Sequence, residues 1–232
     1  MDLRTYINFI RYNLKVIFAN IFLYFMLAAV LAFIIISGIV IFNADAPPTS
    51  ATVCHLLLVP GILIIFYPST FSIQIDTDIR MIETLFGIPN YRYKVWLVRL
   101  GLIFAIAFML LLVLGILSRF ILAAFPFWKM IYQLMLPLIF LSSMSFMLAT
   151  LTRSGAGTGT IVVILIIGFW LGYSSLEGSS WNLFHNPFAT PSENQARIWD
   201  QITFYNRIYL LVGSILAALY GLLNLQRRER FI

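Results

Sequence analysis

The sequence predicts an all-α, polytopic membrane protein with six transmembrane helices, an N-terminal interfacial amphipathic helix and a short amphipathic helix in the loop between the second and third spans. Three observations lead there. Of 232 residues, 61% are hydrophobic and only 10% charged, where a soluble domain carries roughly 25% charged residues. Crossing about 30 Å of hydrocarbon takes about 20 mostly apolar residues, and six such runs occupy most of the chain, as a single transmembrane domain over 1–232. Stretches such as Leu110 to Leu114 and Ile161 to Ile167 are apolar on every face, which fits helices and not the alternating strands of a barrel.

Residues 1–15 place Leu3, Ile7, Ile10 and Leu14 on one helical stripe and Arg4, Asn8, Arg11 and Lys15 on another, the pattern of a helix lying in the membrane interface. The first span, 16–42, is preceded by basic residues and followed by Ala44-Asp45-Ala46, but it is too long for a secretory signal, so it is retained. A short proline-containing turn leads to span two, 52–70, in which Pro60 and Gly61 require close helix neighbours. Span three covers 95–117, span four 130–151, span five 157–176 and span six 208–225. Gly155, Gly157 and Gly159 open span five. With no G-K-[ST] after them and no strand before them, they read as close helix packing or a joint and not as a phosphate cradle. The external segment 177–207 holds Trp181, Phe184, Phe188, Trp199, Phe204 and Tyr205, and is expected to form short helices at the headgroup level.

Basic residues set the orientation, because they collect on the cytoplasmic side. With both termini cytoplasmic, that side holds Arg4, Arg11, Lys15, Arg80, Arg92, Lys94, Arg99, Arg153, Arg227, Arg228 and Arg230, which are 11 of the 15 Lys and Arg residues. The pI near 9.6 therefore reports topology, and no extended basic face suits nucleic acid. Cys54 is the single cysteine, which excludes an internal disulfide and reads as a small apolar filler of the second span.

Chemistry is sparse. The spans as drawn have no Asp, Glu, Lys or Arg in their interiors, which argues against an ion-coupled carrier or an intramembrane enzyme. His55 reads as an interfacial side chain. His185 shares its loop with Glu177, Glu193 and Asp200, without the convergence a metal needs. No nucleophile with its base, no paired catalytic carboxylates and no nucleotide fingerprint occur, so no catalytic, cofactor or metal residue is assigned.

The most informative segment is 73–94. Asp76 or Thr77 can cap a helix, Ile79, Ile82 and Phe86 form one apolar stripe, and Gly87 followed by Pro89 ends it. Its wording, from Asp76-Thr77-Asp78-Ile79-Arg80-Met81-Ile82-Glu83 through Pro89 to Lys94, resembles the ABC-2-type permeases, six-helix transmembrane subunits of bacterial ABC exporters. That resemblance makes 73–94 a cytoplasmic coupling loop. It places Thr77, Asp78, Arg80, Glu83, Leu85 and Phe86 on an ABC ATPase subunit, with ATP and Mg held by that partner and no cofactor bound by this chain.

The resemblance further implies a second permease, identical or related, a location in the bacterial cytoplasmic (inner) membrane among its lipids, and room for a periplasmic accessory protein. The few polar groups in or near the spans, Asn20, Ser37, Gln133, Ser142, Ser143 and Ser145, suit a lipidic or amphipathic cargo. The alternative is a non-transporting anchor or mechanotransmission module coupled to an ATPase or to a periplasmic partner.

Overall fold

A computed structural model describes residues 21–43, 47–78, 92–189 and 196–225. They form helices and turns with no strand among them: α1 (Phe22–Asn43), α2 (Ser50–Asp78), a π-helical turn (Arg92–Leu97) leading into α3 (Val98–Ile121), α4 (Phe127–Thr152), α5 (Gly155–Leu171) and α6 (Trp199–Asn224). The helices alternate in direction. One end of the bundle, the loop end, carries the α1–α2 and α3–α4 turns and the long α5–α6 connection. The opposite end carries the α2–α3 and α4–α5 connections.

Five of the helices are long and apolar enough to cross a membrane, the architecture of a multi-pass membrane protein. The fifth in order, α5, has 17 residues, about 25 Å at 1.5 Å per residue. The apolar run in the sequence predicts a span that continues to 176. Gly172 ends it, and a series of turns follows.

Two other boundaries differ. α2 continues eight residues beyond Thr70 to Asp78, so residues 76–78 prolong that helix and do not start a new one. α6 begins at Trp199, nine residues before the expected 208. Its first turns are polar: Asp200 and Gln201 are exposed, whereas Asn206 and Arg207 are buried against the rest of the bundle. The described part of the α5–α6 connection consists of turns, not the short helices expected. The interfacial helix of residues 1–15 lies outside the described residues.

α2 and α4 form the centre. α4 packs on α2, α3, α5 and α6, whereas α1 packs chiefly on α2. Small residues let the backbones approach, as hydrocarbon solvent requires when lipid competes equally for apolar surface. On α6, Gly213, Ala217 and Gly221 repeat every four residues. A Cβ at Gly213 would lie 2.7 Å from the Phe140 ring, and one at Gly221 2.7 Å from Phe146. Gly61 similarly seats Leu138, the close neighbour expected beside Pro60.

The α4–α5 turn is built locally. Arg153 takes the left-handed conformation that ends α4, and Ser154 caps α5 by accepting the Gly157 N–H at 3.2 Å. Gly155 donates its N–H to Gln74 at 2.6 Å, and a side chain there would collide with Phe71. Close packing thus explains Gly155, and also Gly159, where an added Cβ would lie 3.3 Å from the Phe66 ring, but not Gly157, which meets only Ser154 at 3.6 Å and Thr152 at 3.9 Å.

Candidate functional site

Of the residues expected to dock an ATPase, Thr77 and Asp78 form the last turn of α2. Arg80, Glu83, Leu85 and Phe86 lie outside the described residues. What the structure builds in detail is the loop end.

There the chain after α5 turns back on itself through two asparagines four residues apart. Asn182 Oδ1 accepts the Phe184 N–H and Asn186 Oδ1 accepts the Phe188 N–H, both at 3.0 Å. These are the Asx turns that such short amide side chains favour. They aim Leu183 and Phe184 into the main core.

Side chains of α6 hold this loop by its carbonyls. Asn206 Nδ2 donates to Ser180 O at 2.9 Å and Asn182 O at 2.8 Å, and Arg207 Nη2 donates to His185 O at 3.3 Å. Arg207 Nε also donates to Gln133 Oε1 of α4. Asn186 Nδ2 reaches Ala51 O at the start of α2, at 2.9 Å. The loop is thereby stapled to α2, α4 and α6 together.

His185 bonds Thr203 Oγ1 at 2.8 Å, and its ring lies 4.8 Å from that of Trp199. Burial, and after it the Arg207 guanidinium, pushes its pKa down to about 4. The imidazole is therefore neutral near pH 7. The cluster is not saturated: Arg207 Nη1, Asn206 Oδ1 and Trp199 Nε1 are buried without a hydrogen-bond partner among the described residues.

Two buried arginines, Arg207 of this cluster and Arg99 at the start of α3, overturn the expectation of spans without charged residues. Arg207, expected in an external loop, lies inside α6 and is 7% exposed, and Arg99, expected among the basic residues of the cytoplasmic side, is 1% exposed with its guanidinium 4.7 Å from the Trp96 ring centre. Cations therefore do lie within the bundle. Placing the start of α6 too late hid Arg207, because a polar turn next to an apolar run reads as loop.

Beside the staple runs a cleft made of two adjoining cavities. One, about 390 Å³, is lined by His55, Trp170, Leu171, Tyr173, Ser174 and Phe184. The other, about 500 Å³, lies between α1 and α2, with Ile36, Val40, Leu56 and Val59 as apolar walls, and shares His55 and Trp170 with the first. His55 meets Tyr173 edge-on at 5.6 Å, and its ring nitrogens make no hydrogen bond among the described residues. Burial, followed by Glu177 and Cys54, raises the Tyr173 pKa, so the phenol stays a neutral donor. The chamber beside Tyr173 thus offers imidazole, phenol and hydroxyl groups, and the one between α1 and α2 is mostly hydrocarbon. Such an arrangement suits an amphipathic molecule.

His55, singled out as interfacial, lies at the junction of both chambers. Trp170, Gln133, Asn182, Asn186 and Asn206 were not assigned to any site. Only the repeated Asn-x-Phe of 182–184 and 186–188 hinted at the turns. Among the described residues no group of three His, Cys, Asp or Glu gathers to hold a metal. Compared with known proteins, the chain matches no protein-family model, no curated protein and no solved structure.

Proposed function

We propose that this chain is the transmembrane permease subunit of an ATP-driven ABC exporter, working with a second permease in a bacterial inner membrane with both termini in the cytoplasm. A separate ATPase subunit docks on Thr77, Asp78, Arg80, Glu83, Leu85 and Phe86 and supplies the energy. The carrying observation is the Asp76 to Lys94 segment between the second and third helices, whose charged, apolar, Gly-x-Pro and basic order resembles the coupling loop of ABC-2 permeases.

The bundle offers a route from that segment to the cleft. α2 is one helix of 29 residues, about 43 Å long. Thr77 stands at one end of it and His55 near the other. A push on the docking segment during ATP-driven closure moves α2 as a body, and with it one wall of the cleft, between two access states. The paired polar and apolar chambers favour a lipidic or amphipathic cargo.

The test is purification of the tagged protein in mild detergent, with mass spectrometry of what accompanies it. An ATPase subunit should co-purify with the wild type and be lost from Glu83→Arg and Phe86→Ala. If no ATPase accompanies the wild type, the exporter reading falls. If one accompanies it but its ATP hydrolysis responds to no amphipathic compound, the chain is a mechanotransmission or anchoring module.

A further inference from the structure

A second lipid-facing feature lies on α3, away from the His55 cleft. Leu102, Met109, Val113, Ile116 and Phe120 are spaced by seven, four, three and four residues, which puts them on one helical face. Two hollows follow one another along it. One, about 390 Å³ and almost wholly apolar, spans Leu102 to Val113 against Met26 of α1 and Ile64 of α2. The next, about 460 Å³, is lined by Ile116, Arg119 and Phe120 with Phe127 of α4. Met109, Val113 and Phe120 are 63%, 56% and 84% exposed, so nothing among the described residues covers the track.

Arg119 stands at its loop-end limit, in the last turn of α3. An arginine there complements the helix dipole and can extend toward water, which accounts for its tolerance but not for the hollow it lines. It makes no hydrogen bond or ion pair among the described residues. Neither α3 nor α4 can supply a counter-charge, since the sequence has no Asp or Glu between Glu83 and Glu177. The nearby Lys129 instead lies over the Phe188 ring at 5.9 Å.

We infer that this face seats one anionic phospholipid, with its phosphate on Arg119 and an acyl chain along Ile116, Val113 and Met109. The charge fits, because a guanidinium fork binds phosphate oxygens through paired hydrogen bonds. So does the length: ten residues from Arg119 to Met109 rise about 15 Å, roughly half of a 30 Å hydrocarbon core and thus the depth of one leaflet. The seat does not depend on whether the protein transports anything.

The experiment is native mass spectrometry of the full chain released from micelles containing equal amounts of phosphatidylglycerol and phosphatidylcholine with identical chains. The wild type should retain one phosphatidylglycerol in about tenfold preference. Arg119→Gln should bring that preference close to unity, and Arg119→Lys should keep part of it. Val113→Trp, with the arginine intact, should lower retention of both lipids, and Lys129→Gln should change nothing. Equal retention of the two lipids by the wild type, or an undiminished preference in Arg119→Gln, overturns the seat. Displacement of the lipid by glycerol phosphate at equal concentration overturns the assignment to a lipid. Arg119 and Val113 are both exposed, so the variants should fold, and unchanged melting temperatures check this.

Discussion

α1 and α4 are both apolar helices of spanning length, 22 and 26 residues, yet the bundle uses them differently. In α4, 61% of the spanning stretch is buried within the protein. In α1 the figure is 17%, and its buried positions form one narrow stripe of Phe22, Ala29, Phe33 and Ser37. Hydrophobicity cannot make this choice, because hydrocarbon receives Leu and Ile as readily as another helix does.

The difference lies in small and polar residues. α4 buries Gln133, Ser142, Ser143, Ser145 and Thr150. Ser142 bonds Ser69 of α2 at 2.7 Å, and Asn224 of α6 bonds Thr150 O at 2.7 Å. Ser145 and Thr150 return their hydroxyls to Leu141 O and Met147 O of α4 itself, but Gln133 and Ser142 use partners on α6 and α2 that lipid cannot supply. A helix moves to the centre here by what it cannot leave in hydrocarbon.

The largest expected break in this contrast is Arg207→Leu. It orphans Gln133 Oε1 and removes the donor to His185 O, for about 2–4 kcal/mol of lost stability. Thermal unfolding in detergent should show the loss, and adding Gln133→Leu should restore part of it. Failure of the double variant to recover would mean that the loop contacts, not the α4–α6 bond, carry the effect.

Next comes a pair of matched substitutions. Gly221→Leu drives a side chain into Phe146 and should cost about 1–3 kcal/mol. Gly38→Leu on α1, where an added Cβ meets nothing within 4 Å, should leave the melting temperature unchanged. Equal effects at the two sites would erase the distinction between α4 and α1.

The smallest effect concerns the loop stapled over α4 and α6. His185 has its pKa lowered from 6.5 to about 4, so between those values the unfolded chain binds the proton and the folded one does not. Stability from this group is complete above pH 6.5 and falls as pH drops toward 4. Melting temperatures at pH 7.5 and 5 should differ more in the wild type than in His185→Gln, and an identical pH response in the two would exclude the buried imidazole as its source.

Much of the fold is legible in the residues. Runs such as Ile161 to Ile167 are apolar all round and so belong in hydrocarbon, and Gly61 beside Pro60 announces a close neighbour. The candidate cleft was far less legible. His55 drew notice as a lone histidine, but nothing in its own surroundings in sequence indicates Trp170 or Tyr173, more than 100 positions away. The same holds for Arg207, whose partners Gln133 and His185 come from another helix and a loop.

By itself, then, the sequence determined the helical class, the approximate positions of the spans and the uneven distribution of basic residues, because these follow from local transfer of side chains between water and hydrocarbon. Only the tertiary structure decided which helices are central, where α6 begins and that two arginines are buried. Those outcomes depend on pairing polar groups far apart in the chain, and a hydrogen bond across 74 residues leaves no periodic trace in either partner's neighbourhood.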